Sequence, residues 1–275
     1  MTDISVLTDT AKGIWLDEFE CADIGFAGAS VRKRVLRGGL TDGVEVVEVD
    51  NGEFSYTILP TRGMGIWRGK YRELDVGWRA PVPGPVHPSF VNLQDRGGLG
   101  WLTGFDEAIV RCGLDNNGAP TTDVVPNNMG VPSEVELTLH GRIANIPACR
   151  VEVRIEPGDV PTIVVSGDVE EAALFYPGFR LHTEISTRCG SNAFTIVDTV
   201  TLAPPKDAKN DAWFTGALVN ERTAKYQGKV DLVVSGMGLP EQGLGALWFW
   251  KSGAKVALAL GDVSKLEKAI MAQLV

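Results

Sequence analysis

Apolar and polar side chains alternate with a period of two in segment after segment of this chain, the spacing of strands that have one face in a core and one in water. Val44-Glu45-Val46-Val47-Glu48-Val49 is β-branched and partly alternating. Asp50-Asn51-Gly52 follows, and Glu53-Phe54-Ser55-Tyr56-Thr57-Ile58-Leu59 alternates again. Asn-Gly tolerates the positive φ angles of a type I′ turn, so an antiparallel hairpin is predicted here. Further strands are predicted over 134–139, 150–156, 162–169, 180–187 and 194–201. In the second of these, Val151, Val153 and Ile155 share one face, and the mixed charges of Arg150, Glu152, Arg154 and Glu156 share a solvated one. In the fourth, Arg180, His182, Glu184, Ser186 and Arg188 form a polar ladder, for which solvent exposure is a better reading than a cleft wall.

Between these regular segments, residues 62–117 are dense in Gly, Trp, Pro and Arg, with weak strand periodicity. Such stretches are predicted to be loops that cover one end of a β scaffold and carry function. Ala203-Pro204-Pro205-Lys206-Asp207 reads as a break. Short strands are predicted beyond it, over 229–235, 246–250 and 255–260. A short C-terminal helix is predicted near 263–273, because Val263, Leu266, Ile270 and Leu274 recur at spacings of three and four. The expectation is an all-β protein, a large antiparallel sandwich forming a single domain over residues 1–275.

Composition agrees with this pattern. Of 275 residues, 44% are hydrophobic, enough for a real core, and 32 glycines and 15 prolines favour many short strands over long helices. The formal net charge of −9 disfavours phosphate backbones and anionic lipid, so neither nucleic acid nor membrane is an expected partner. The start of the chain has no basic region leading into an apolar stretch, and no apolar run approaches the roughly 18 residues of a membrane span. Cys21, Cys112, Cys149 and Cys189 are scattered, the usage of reduced thiols. A soluble, cytoplasmic protein is expected; oligomeric state is not readable.

Signatures of nucleotide binding, zinc hydrolysis and serine hydrolysis are absent. Gly98-Leu99-Gly100 lacks the third glycine of a dinucleotide fingerprint, and Ser252-Gly253-Ala254-Lys255 matches a serine–lysine motif by letters alone. No metal or cofactor is expected. The three histidines are far apart, and a lone histidine is more often structural than chemical. His87 lies in the rigid Gly84-Pro85-Val86-His87-Pro88 loop, and His140 leaves a strand into Gly141-Arg142, so that imidazole and guanidinium are expected to emerge together. Asp106-Glu107, with Arg111 close in sequence, shares its segment with Trp67, Trp78 and Trp101. Flat aromatic faces with carboxylates and arginines are the equipment of sugar sites; equally, these tryptophans close the end of a sandwich.

Several motifs carry a family resemblance. Gly39-Leu40-Thr41-Asp42-Gly43, Leu59-Pro60-Thr61-Arg62-Gly63-Met64-Gly65-Ile66-Trp67, Gly77-Trp78 and the His87 loop resemble a branch of the aldose 1-epimerase superfamily whose function is unassigned. So do Gly100-Trp101-Leu102-Thr103-Gly104-Phe105-Asp106-Glu107, Arg111-Cys112-Gly113-Leu114 and Leu139-His140-Gly141-Arg142-Ile143-Ala144-Asn145. The resemblance spans about residues 31–201; the tail, 202–275, is atypical. It implies the galactose mutarotase-like sandwich and a small-molecule sugar as ligand. It also implies acid–base interconversion of anomers, with groups whose pKa values lie near working pH.

Carried onto this sequence, the resemblance makes His140, Asp106 and Glu107 the catalytic candidates. Arg62, His87, Arg111, Arg142, Trp78 and Trp101 are the candidates for holding the sugar. Two departures stand out. The Tyr-His-x-Asn stretch expected after 194–201 is replaced by Leu202-Ala203-Pro204-Pro205, and the late Gly-x-Glu-Pro glutamate has no counterpart. A sugar-binding module without chemistry is therefore a second reading, and a lyase or isomerase acting on an oxidised sugar a third.

Overall fold

In the computed structural model, the described residues are 3–126, 131–173, 178–203, 232–235, 247–250 and 256–259. Their strands are β1 (Asp3–Asp9), β2 (Ile14–Trp15), β3 (Phe19–Cys21), β4 (Ala29–Val35), β5 (Glu45–Asn51), β6 (Phe54–Leu59), β7 (Gly65–Tyr71) and β8 (Leu74–Val76). There follow β9 (Thr121–Pro126), β10 (Pro132–Leu137), β11 (Arg150–Glu156), β12 (Thr162–Glu171), β13 (Gly178–Arg188) and β14 (Ala193–Ala203). Three short strands complete the set: β15 (Leu232–Ser235), β16 (Leu247–Trp250) and β17 (Val256–Ala259).

Two antiparallel sheets face each other. One has the order β3-β4-β5-β6-β7-β8, the other β17-β14-β13-β12-β11-β1-β2; β9-β10 and β15-β16 are separate hairpins. Inward-facing Val31, Val49, Phe54, Tyr56 and Ile58 of the first sheet meet Leu7, Val151, Val165, Ile185 and Phe194 of the second in one continuous core. Phe194 stacks on Phe54 with ring centroids 5.6 Å apart and leans on Tyr56 at 4.7 Å. The chain is thus an all-β antiparallel sandwich.

The predicted hairpin is present as β5 and β6, but its turn differs from the type I′ expectation. A I′ turn needs positive φ at two residues, and here only Gly52, at φ 92°, is positive. Asn51 stays extended because its side chain is committed elsewhere. Its Nδ2 donates to Thr187 Oγ1 (2.7 Å) and to the carbonyls of Arg188 (3.2 Å) and Ser191 (2.9 Å), while its Oδ1 accepts from Glu53 and Phe54. One buried amide thereby ties the β5–β6 turn to the β13–β14 turn of the facing sheet.

The segment 62–117 is not all loop: β7 and β8 lie in it. Gly65 and Gly69 hide the period, and so does a bulge in which Trp67 and Arg68 of β7 oppose Thr57 of β6. The outer ladder of β13 is half-exposed or exposed from Arg180 to Arg188, as a solvated face should be. In the basic run Arg32-Lys33-Arg34, the middle side chain turns inward, where Lys33 pairs with Glu45 and donates to Thr8 Oγ1 at 3.0 Å. The predicted C-terminal helix, Ser252–Lys255 and the region from Pro204 to Asp207 lie outside the described residues. No helix among the described residues is long and apolar enough to cross a membrane.

Candidate functional site

Beyond β6 the chain makes a single 3-10 turn, Pro60–Arg62, and the left-handed Gly63 reverses it into β7. Gly63 is required twice over. Its φ is +60°, and a Cβ there would stand 2.4 Å from the carbonyl oxygen of Ile143. That tight approach sends Arg62 into the protein interior, where its side chain is wholly buried. Its Nε–H donates to Glu107 Oε1 in an ion pair whose two partners have no exposure at all. Its Nη1 donates to the carbonyl of Val86 and to Asn145 Oδ1, both at 3.0 Å. Arg62 Nη2 and Asn145 Nδ2 are buried without a hydrogen-bond partner.

Asp106 and Glu107, adjacent in sequence, play different parts. Glu107 Oε2 accepts the backbone N–H of Asp106 at 3.0 Å, so the ion-paired residue also braces its neighbour. The segment runs beside β7, exchanging hydrogen bonds between Ile109 and Ile66 and donating from Ala108 N–H to the Trp67 carbonyl. Asp106 Oδ2 accepts the indole N–H of Trp67 at 2.9 Å, while Oδ1 is buried with no partner. Gly84 closes the other side, and a Cβ on it would lie 2.2 Å from Asp106 Oδ2. Burial, and then the charge of Glu107, push the Asp106 carboxyl up to about 7; the Trp67 bond, Arg62 and Arg68 only partly oppose this.

An aromatic layer covers this cluster. Trp78 donates its indole N–H to the Glu107 carbonyl at 3.1 Å and packs on Phe105, on which Trp101 stacks at 4.7 Å. His140 meets Trp101 edge-on, ring centroids 4.8 Å apart. It sits at φ 55° in the turn between Thr138 and Gly141, its Nδ1 3.0 Å from the carbonyl oxygen of Asn117. Arg62, Asp106, Glu107, Trp78, Trp101 and His140 therefore form one contiguous group at one end of the sandwich.

Three other candidates take different partners. His87 bonds Ser89 Oγ at 2.8 Å; only the carbonyl of the preceding Val86 touches Arg62. Arg142 does not emerge with His140: it pairs with Glu171 (2.9 Å) and Asp115 (3.6 Å). Arg111, close to Asp106 in sequence, points to the other sheet and pairs with Asp198 at 2.7 Å, with Thr183 Oγ1 at 3.3 Å. Four extended residues carry a side chain more than 10 Å along the backbone, which is why sequence proximity misled here. Trp67, Gly84 and Asn145 complete the cluster. Each lies in a quoted motif, but nothing in the motif shows that it faces a carboxylate or a guanidinium. No three His, Cys, Asp or Glu side chains among the described residues are grouped to hold a metal ion.

Residues 41–213 match the family described as a domain of unknown function, DUF4432. No curated protein matches the chain. Among solved structures, it resembles a protein from Klebsiella pneumoniae subsp. pneumoniae MGH 78578, provisionally named an aldose 1-epimerase, with 31% identity and a TM-score of 0.65. The similarity covers 74% of this chain and 52% of the other, so this chain spans about half the length of that relative. By its sheets and by that match, the chain belongs to the DUF4432 family, a branch of unassigned function among the galactose mutarotase-like proteins.

Proposed function

We propose that this protein binds a sugar at the Asp106 end of the sandwich and interconverts its anomers, in the manner of an aldose 1-epimerase. The observation that carries the reading is the Asp106 carboxyl, held near pH 7 by burial and by Glu107. A general base works best with its pKa near the operating pH. Asp106 takes the proton of the anomeric hydroxyl while an acid, for which His140 is the candidate, protonates the ring oxygen. The C1–O5 bond breaks, the open-chain aldehyde rotates, and closure on its other face returns both protons. Trp78, half-buried where Trp101 is buried, offers a flat apolar face for the sugar's C–H surface. Similarity to the Klebsiella protein supports the same ligand class.

The test is exchange between α- and β-galactose and between α- and β-glucose, followed by polarimetry and by NMR. The wild type should speed equilibration in proportion to its concentration, and Asp106→Asn should lower that rate by roughly 10²–10⁴-fold. A rate equal in both proteins ends the reading.

A second reading, sugar binding without turnover, is favoured by the complete burial of Arg62 and Glu107, which engage each other. The replacement of the family's second histidine and late glutamate in the tail also favours it. It forecasts ligand-dependent stabilisation without any change in equilibration rate.

A further inference from the structure

The outer face of the six-stranded sheet carries an ordered set of polar side chains beyond the Asp106 cluster. Strand register arranges them in two rungs. Asp50, Ser55 and Lys70 are successive partners across β5, β6 and β7. Glu48 lies opposite Thr57, with Arg68 beyond it in the bulge. Each hydroxyl of β6 thus stands between a carboxylate of β5 and a cation of β7. These residues line a groove of 470 Å³, within the roughly 300–1,000 Å³ of small-molecule sites.

The uncommitted charges are the two cations and Asp75, which also lines the groove. Glu48 is paired with Arg34, and Asp50 Oδ1 accepts the Gly52 N–H. Arg32, also on this face, is paired with Glu20. Among the described residues neither Arg68 nor Lys70 forms an ion pair, although Asp75 is in register with Lys70. Arg68 is nevertheless fixed. The bulge turns it over Trp67, its guanidinium 3.8 Å from the ring centroid, and Trp67 is anchored on Asp106.

We propose that this groove is a second ligand site, for a polyhydroxylated compound bearing one anionic group, either a carboxylate or a phosphate. Arg68 and Lys70 hold the anion. Ser55 and Thr57 donate to and accept from the ligand's hydroxyls, and Asp50 and Glu48 accept from those on the far side. The site shares none of its six residues with the Asp106 cluster and touches it only through Arg68, which rests on Trp67.

Calorimetric titration of the full chain with glucose, glucuronate, glucose 6-phosphate and inorganic phosphate tests this. One or both anionic sugars should bind at least tenfold more tightly than glucose and than inorganic phosphate. Tighter binding of glucuronate identifies a carboxylate ligand, and tighter binding of glucose 6-phosphate a phosphorylated one. Lys70→Ala and Arg68→Ala should each weaken that binding at least tenfold, whereas Asp106→Asn, whose amide oxygen can still accept the Trp67 N–H, should lower anomer exchange and weaken this binding less than tenfold. Absence of binding to the wild type overturns the proposal, as does equal affinity for glucose or for inorganic phosphate. So does binding that survives in the Lys70→Ala/Arg68→Ala double variant. Lys70 is exposed, so its variant keeps the test valid if loss of Arg68 loosens Trp67.

Discussion

Arg62 and Glu107, 45 residues apart, form an ion pair in which both side chains are fully buried, and the second oxygen of Glu107 holds the backbone of Asp106. The pair organises the candidate site from beneath, and the group left to titrate is its neighbour.

Removing one member should therefore damage the fold before it touches any ligand. Glu107→Ala leaves a buried guanidinium without its counter-charge, a change expected to cost about 3–5 kcal/mol. Glu107→Gln keeps the shape and an acceptor, and should cost less. Urea denaturation of both variants checks this. A loss below about 1 kcal/mol for Glu107→Ala would mean that the pair is solvated.

Asp106 makes stability depend on pH in the sense opposite to most carboxylates. Its folded value of about 7 lies above its unfolded value, so between roughly pH 4 and pH 7 the folded state holds a proton that the unfolded state has lost. Stability from this group falls as pH rises through that window and is level above it. Asp106→Asn removes the effect, so its stability relative to wild type should rise by a few kcal/mol, order of magnitude, from pH 4 to pH 8. A difference independent of pH would place the Asp106 carboxyl in its ordinary range.

Gly84 is needed for space, not for backbone freedom. In Gly84→Ala the new methyl would meet the Asp106 carboxylate at 2.2 Å, so the carboxylate must leave Trp67. An overpacking cost of about 1–3 kcal/mol is expected. Adding Asp106→Ala should recover part of it, and thermal denaturation of the single and double variants reads this coupling.

On the opposite sheet, His182 Nδ1 lies 2.6 Å from Asp168 Oδ1. That bond raises the histidine and lowers the aspartate. The histidine's contribution is full below its unfolded value of about 6.5 and is lost as pH rises through the higher folded value. The aspartate's is full above about 3.9 and is lost as pH falls through the lower one. Both are present between those limits, and since the pair is partly exposed their sum should be only about 0–1 kcal/mol. NMR titration should show the His182 value drop towards the ordinary range in Asp168→Asn; no change would break the assignment to this bond.

The strands read from the sequence are those whose alternation survives in the fold. Val151, Val153 and Ile155 of β11 face the core because a two-residue period leaves them no other face. β7 was not readable in this way: with two glycines and a bulge it has little intrinsic preference, and it is a strand because β6 on one side and residues 108–109 with β8 on the other satisfy its backbone groups. Asn51 shows the limit even within the hairpin. Its turn-forming character is local, but its conformation answers to Thr187, Arg188 and Ser191 on the other sheet.

By itself the sequence determined the all-β class, the main alternating strands and the family, because these rest on residue periodicity and on the order of short motifs. It also marked Arg62, Asp106, Glu107 and the tryptophans as a chemically unusual set. Tertiary structure alone decided which of them meet. It buried Arg62 against Glu107, sent Arg111 to Asp198 and Arg142 to Glu171, and closed Gly84 over a buried Asp106 carboxyl. The physical reason is that ion pairing, desolvation and a raised carboxyl pKa are set by through-space distance and burial, and residues 45 apart acquire both only when the chain folds.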